Sequence, residues 1–291
     1  MKIRTDLAIE NREMYHEALE DKVEIPGVEV DVQEIDDDIK VVRIKIFDEL
    51  GSRIMGKPCG NYITIEADRV LGGDTEYKNK VAKAVAREIS RLVPFDYYLN
   101  VLVAGLGNEK ITPDSLGPVT VDKIKITRQY FIKYQEDGDD EMSCVCGINP
   151  GVMGTTGIES TDIIKKAADI AQPDVILAID ALAARNIERV STTIQISDTG
   201  ISPGAGTGNM RKALNTETTG TKVVAIGVPT VIDAKNIIID VVGSQNLSET
   251  IFEDKKLDMI VTSSDIDQVI KDFSDIISEA VNISLHPGIY S

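Results

Sequence analysis

Three short apolar runs constrain this chain more than anything else in it. Val175-Ile-Leu-Ala-Ile179 contains no polar residue, and Tyr97–Ala104 and Lys222–Gly227 come close to that condition. An unbroken apolar run of strand length marks a strand buried on both faces, the position of a central strand in a parallel sheet. Helical patterns lie between the runs. Val81, Val85, Ile89 and Leu92 form one apolar face of a helix that Asp74 or Thr75 can cap. Asp162–Ala171 is a second helix, stopped by Gln172-Pro173. A third, capped by Thr262, carries a broad stripe including Ile266, Val269, Ile270, Phe273, Ile276 and Ile277. Strands alternating with helices predict an α/β fold of three layers, a mainly parallel sheet with helices on both faces.

Other segments fill in the expectation. Lys40–Phe47, Tyr62–Ala67 and Thr192–Ser197 are strands, Asn11–Glu20 is a short helix, and Glu34–Asp38 is a solvated turn. A helix follows Ile232, and Ser115–Lys125 has a helical pattern. Ile126–Tyr134 and Ser143–Ile148 are expected to form a β-hairpin added to the sheet, joined by the acidic turn Gln135–Glu141.

Nothing divides the 291 residues into two units, and a chain of this length buries roughly 75% of its unfolded surface, so one domain is expected over 1–291. Its core must be aliphatic, since there is no Trp and only 4% of residues are aromatic. A formal net charge of -17 argues against a basic nucleic-acid-binding face. Cys59, Cys144 and Cys146 are an odd set and imply no disulfide framework. The first residues lack the apolar core of a signal peptide, and no run approaches the ~18 apolar residues of a membrane span. A cytoplasmic protein without membrane or direct nucleic-acid partners is expected.

Two carboxylates share one context. Asp114 follows the Tyr97–Ala104 strand by the loop Gly105–Pro113, and Asp180 ends the Val175–Ile179 run. Open α/β sheets bind ligands beyond the carboxyl ends of their strands, so the two can face each other across one cleft. At a separation of ~4 Å and an effective dielectric near 20 their repulsion is about 4 kcal/mol, or roughly three pKa units. A helix N-terminus near Asp114 offers only ~0.3–1 kcal/mol in the other direction. Such a pair holds one proton between its members, supplying the acid and the base needed to drive water onto an amide. The alternative is structural: Asp114 caps a helix and Asp180 lies in a turn.

Competing chemistries are poorly supplied. Gly105-Leu-Gly107 lacks the third glycine of a dinucleotide fingerprint, and Gly204-Ala-Gly-Thr-Gly208 is not followed by Gly-Lys-Ser/Thr. Both loops suit tight turns, or places where an extended peptide passes close to backbone. The only histidines are His16 and His286, and Cys144-x-Cys146 suits a pair of strand thiols better than a zinc site. Ser115 has no nucleophile elbow around it and no evident base, and Cys59 shares the second lack. No metal and no cofactor are expected. The alternatives left open are a metal-dependent maturation-type protease and a non-catalytic module that binds nucleotide or peptide.

Several stretches taken together resemble the germination proteases of spore-forming bacteria. They are Ile3-Arg-Thr-Asp-Leu-Ala8, Gly105-Leu-Gly-Asn108 with Thr112-Pro-Asp-Ser-Leu-Gly-Pro118, Pro150-Gly-Val-Met-Gly-Thr-Thr-Gly-Ile-Glu159, Ala178-Ile-Asp-Ala-Leu-Ala-Ala-Arg185, Asp198–Asn209 and Ala225-Ile-Gly-Val-Pro-Thr230. The resemblance implies an endopeptidase that degrades small acid-soluble spore proteins in the forespore or spore core. It implies a fold similar to that of hydrogenase-maturation proteases, where a Glu, an Asp and a His hold a metal. Asp114 and Asp180 fall at the two carboxylate positions, and neither histidine falls at the third. By the same resemblance Asp114 and Asp180 are the catalytic pair, the protein is a homotetramer, and it is made as a self-processing zymogen. Substrate sites in the family run acidic, large apolar, Ala, with Glu further on. Asp6-Leu7-Ala8-Ile9-Glu10 has that form, so cleavage is expected at Asp6–Leu7, with residues 1–6 as propeptide. An acidic recognition sequence calls for cations, and Arg185, Arg211 and Lys212 lie near the loops, though each also suits a solvated surface. Arg185, Gly105, Gly107 and Gly154 are the expected substrate contacts.

Overall fold

The computed structural model describes residues 5–19, 24–36, 38–204, 211–242, 257 and 259–290. Residues 1–4 of the expected propeptide, Asp37 in the expected Glu34–Asp38 turn and residues 205–209 of the second glycine-rich loop lie outside that part.

The centre, among the described residues, is a sheet of nine strands. These are β1 (Val28–Asp36), β2 (Ile39–Ile46), β3 (Gly60–Ala67), β4 (Asn100–Gly105), β5 (Cys144–Ile148), β6 (Val175–Ala184), β7 (Thr193–Ser197), β8 (Lys222–Asp233) and β9 (Ile260–Thr262). Their spatial order is β1-β2-β3-β7-β8-β6-β4-β5, with β9 beside the far end of β8. The apolar runs lie where expected, because β4, β6 and β8 are parallel neighbours at the heart of the sheet.

The sheet as a whole is mixed, not mainly parallel. β5, β4, β6 and β8 run parallel, whereas β8, β7, β3, β2 and β1 pair antiparallel. Connection length explains the reversal. A parallel return needs a crossover of about a dozen residues or more, and β6 and β7 are joined by the short segment holding the 3-10 turn Ile187–Arg189. The chain comes back antiparallel instead, beyond β8.

The helices are α1 (Ala8–Leu19), α2 (Glu49–Met55), α3 (Thr75–Leu92), α4 (Leu116–Val121), α5 (Arg128–Tyr134), α6 (Met153–Thr156), α7 (Ser160–Ala171), α8 (Thr216–Thr219), α9 (Ala234–Val242) and α10 (Ile266–Leu285). Asp74 caps α3 as expected, accepting from the Tyr77 amide at 2.8 Å. Asp265, not Thr262, stands at the N-cap of α10.

The expected hairpin over Ile126–Ile148 is not there. Its first arm is the helix α5, and its second, β5, pairs parallel with β4. The β-branched and aromatic composition of Ile126–Tyr134 favours a strand only where an edge is open to it. Thr127 closes that edge with one residue: its amide donates to the Val145 carbonyl at 3.0 Å and its hydroxyl accepts from the Val145 amide at 2.8 Å. β1 and β2 do pair as an antiparallel hairpin.

Alternation along the strands divides the interior. On one face Val101, Val103, Leu177, Ile179, Val224, Ile226, Ile194 and Ile196 pack under α3, α4 and α10. The opposite face carries two separate apolar clusters. Leu102, Ala104, Ile176 and Ala178 lie under α7, and Leu182, Ala184, Val42, Ile44 and Tyr62 lie under Leu7, Ala8 and Ile9. On β6 the gap between the two falls at Asp180.

Candidate active site

Asp180 is only 4% exposed. The strand does not end there as expected but continues to Ala184. It is the shorter neighbour β4 that stops, its Gly105 paired with Ile179, so Asp180 still lies at the carboxyl edge of the parallel strands. Oδ1 of Asp180 accepts from the Ala181 amide at 2.9 Å.

Asp114 closes the 3-10 turn Thr112–Asp114, just before α4. Gly107 lets the turn form: its φ is +108°, and a Cβ there would lie 2.0 Å from the Asp114 carbonyl oxygen. The Asn108 amide then reaches both the carbonyl oxygen and Oδ2 of Asp114, each at 2.9 Å. The turn is tied to the sheet by the Thr230 hydroxyl, which donates to the Pro113 carbonyl at 2.7 Å.

Asp180 feels the charge of Asp114, but burial outweighs that repulsion. Burial raises the Asp114 pKa, while the Asn108 amide and the Arg211 cation oppose it. Burial also drives Asp180 well above the ordinary carboxylate range; the charges of Asp114 and then Asp6 push in the same direction, against the Ala181 amide and Arg211. Burial, not the repulsion expected from the sequence, is the larger influence on both groups.

The expected processing site lies against the same strand. The Asp6 amide donates to the Ala183 carbonyl at 3.1 Å, and Oδ2 of Asp6 accepts from the Ala183 amide at 2.9 Å. The Asp6 carbonyl accepts from Lys57 Nζ and from Gln195 Nε2, both at 2.9 Å. Leu7 is fully buried, and the Ala8 amide donates to Gln195 Oε1 at 2.7 Å. Glu10, also fully buried, accepts from the Arg185 and Asn186 amides at 2.8 Å and from the Thr5 hydroxyl. A cleft of about 990 Å³ opens beside this segment, with Asp6, Lys57, Tyr62, Leu182, Gln195 and Gly227 in its walls.

The expected substrate contacts scatter. The Arg185 guanidinium pairs with Glu17 at 3.0 Å, and only its amide meets Glu10. Gly107 supports Asp114, and Gly105 ends β4, where a Cβ would lie 2.6 Å from the Gly117 carbonyl. Gly154 sits exposed in α6, with open space where its Cβ would be. No sequence pattern marks Lys57, Gln195 or Arg189. Arg189 reaches Glu13 at 2.6 Å, Glu66 at 2.7 Å and Glu10 at 4.0 Å.

Fold and site together describe an α/β protein with Asp180 at the carboxyl edge of its parallel strands and a cleft beside the Asp6 segment. The family model for germination protease matches residues 8–247. A germination protease of Caldanaerobacter subterraneus subsp. tengcongensis is 43% identical over 314 residues, spanning 99% of this chain and 95% of its own length. One of Clostridium tetani is 42% identical over 316 residues, with 99% and 97% covered, and one of Bacillus cereus is 45% identical over 249 residues, with 82% and 66% covered. The chain belongs to the germination protease family. It is a peptidase, a hydrolase with a role in spore germination. Among the described residues no helix is long and apolar enough to cross a membrane.

Proposed function

We propose that the chain is an endopeptidase of small acid-soluble spore proteins and that Asp114 and Asp180 activate the attacking water. What supports this reading is the placement of the pair, Asp180 enclosed at the carboxyl edge of the parallel strands and Asp114 on the turn before α4. Asp180, enclosed and pushed well above the ordinary carboxylate range by burial and then by the charge of Asp114, holds its proton the longer of the two. Asp114, less enclosed and held by the Asn108 amide, gives its proton up first. Two carboxyls whose surroundings separate their pKa values supply an acid and a base at one pH. Water loses a proton to Asp114 as its oxygen attacks the carbonyl carbon. The C–N bond then breaks, and the leaving nitrogen takes the proton of Asp180, giving a new carboxyl and a new amine.

The same reading makes Asp6–Leu7 the self-processing bond, with residues 1–6 removed. The docking of Asp6 on the strand that carries Asp180 supports it. A homotetramer in the forespore or spore core, and a fold like that of hydrogenase-maturation proteases, complete the proposal from the family resemblance. The test is spore-protein digestion by Asp114→Asn and Asp180→Asn. Each lowers the rate by about 10³-fold or more, in the range that general acid–base groups supply. Digestion by either variant at the parent rate rejects the pair.

A further inference from the structure

We propose that Lys57 and Gln195 grip the carbonyl of the bond to be cut and hold the negative charge that gathers on its oxygen. This rests on the reading above that Asp6–Leu7 is a cleaved bond. Residues 51 and 189 positions away in the chain send two donors to one backbone oxygen, that of Asp6, both at 2.9 Å. Gln195 does more than donate. Its Oε1 takes the Ala8 amide at 2.7 Å, so one side chain brackets Leu7 from the carbonyl before it to the amide after it. Leu7 is thereby held on both sides, and its own amide donates to the Thr5 hydroxyl at 3.0 Å.

The sheet explains why these two residues can do it. Gln195 on β7 pairs with Gly227 on β8, and Gly227 pairs on its other side with Asp180 on β6. Paired residues project to the same face, so Asp180 and Gln195 stand on either side of a position without a side chain. The backbone between them is covered by the Leu182 side chain, whose Cγ lies 2.6 Å from where a Cβ of Gly227 would be. Lys57 comes in above it from the loop after α2, held by the Ser52 hydroxyl on its carbonyl at 2.8 Å. Burial lowers the Lys57 pKa, opposed by the carboxylates of Asp6 and Glu10. A cation there meets a neutral carbonyl in the ground state and an oxyanion at the transition state, which is the condition for raising the rate rather than only binding.

The experiment follows processing of the full chain by intact mass, in the parent, Lys57→Met, Lys57→Arg and Gln195→Met, with melting midpoints to check folding. Removal of one such donor costs about 10²–10³-fold, so Lys57→Met and Gln195→Met release a chain beginning at Leu7 that much more slowly. Lys57→Arg restores at least about tenfold of the loss, and the alkaline decline of the parent's rate is altered in Lys57→Met. Should Lys57→Met misfold, Gln195→Met decides alone, since Gln195 carries no charge. Folded Lys57→Met or Gln195→Met chains that produce the Leu7 terminus at the parent rate overturn the inference while leaving the aspartate pair intact. A parent chain whose new terminus lies elsewhere overturns the cleavage-site reading itself.

Discussion

Asp180 and Gln195 occupy one row across the sheet, each the lateral partner of Gly227. Two strand spacings of about 4.8 Å put their backbones roughly 10 Å apart, and the residue between them, Gly227, has no side chain of its own. The row depends on Gly227. A Cβ at this position would lie 2.6 Å from Cγ of Leu182, which is itself buried two residues along β6 from Asp180. Gly227→Ala therefore either displaces Leu182 or pushes β8 away from β6. Overpacking of this kind costs about 1–3 kcal/mol, and a shift near 1 Å at a reacting geometry costs about 10²-fold in rate. We expect a folded Gly227→Ala protein with proteolysis reduced by that order, read from spore-protein digestion beside a thermal melt. Undiminished cleavage would mean that the row does not shape the site.

On the proposed mechanism the pair also sets a pH profile. Catalysis by one protonated and one ionised carboxyl fails when both are protonated and again when both are ionised, giving a bell. Asp114 and Asp180 are both raised, Asp180 the more, so the acid limb lies above the ordinary carboxylate range and the alkaline limb higher still. Arg211 lowers both groups, and its removal moves both limbs the same way. Arg211→Gln should move both limbs to higher pH. A profile that stays in place, or moves on one limb only, contradicts a shared field.

Holding Asp180 protonated makes stability depend on pH in an unusual direction. The folded state binds this proton more tightly than the unfolded chain, so the favourable contribution is complete below about pH 3.9. It is lost as pH rises through the elevated folded pKa, where a charge must be carried inside. Asp180→Asn keeps an acceptor for the Ala181 amide and removes the charge. Its melting midpoint should exceed the parent's at neutral pH, by roughly 2–4 °C for each kcal/mol relieved, and match it near pH 4. A variant less stable than the parent at neutral pH would show that the carboxylate is not under strain.

Much of this arrangement is legible in the order of residues alone, and the reason lies in what periodicity records. Val175–Ile179 reports burial on both faces, and with it come the central strand and the carboxylate at its edge. Asp114 is legible because a strand, a Gly-x-Gly turn and a short helix follow one another locally. Gln195 sits in the unremarkable run Thr193-Ile-Gln-Ile-Ser197, and Lys57 in a loop. Their meaning arises only when β6, β8 and β7 are laid in register, a relation between segments that no local pattern encodes. Strand direction is illegible for the same reason: Lys40–Phe47 and Tyr62–Ala67 read alike in either orientation. The arm Ile126–Tyr134 shows the complement, since its strand-like composition loses to an edge already closed by Thr127.

Glu10 offers the sharpest test of how the N-terminal segment is held. Its fully buried carboxylate accepts the amides of Arg185 and Asn186, each at 2.8 Å, and the Thr5 hydroxyl. Burial raises its pKa, while those three donors and the Arg189 charge oppose the shift. Glu10→Ala leaves two enclosed amides without an acceptor, at about 1–3 kcal/mol each. Arg189 keeps Glu13 and Glu66 as partners, so the penalty falls on the amides and not on the guanidinium. The cheapest relief is for residues 5–10 to lift off β6 and let water reach the amides. Amide exchange at Ala8, whose hydrogen goes to Gln195, should then accelerate by about 10–10³-fold, and Glu10→Gln, with one acceptor oxygen left, should fall between. Unchanged protection of Ala8 in Glu10→Ala would show that Leu7 and the Asp6 contacts hold the segment down without this anchor.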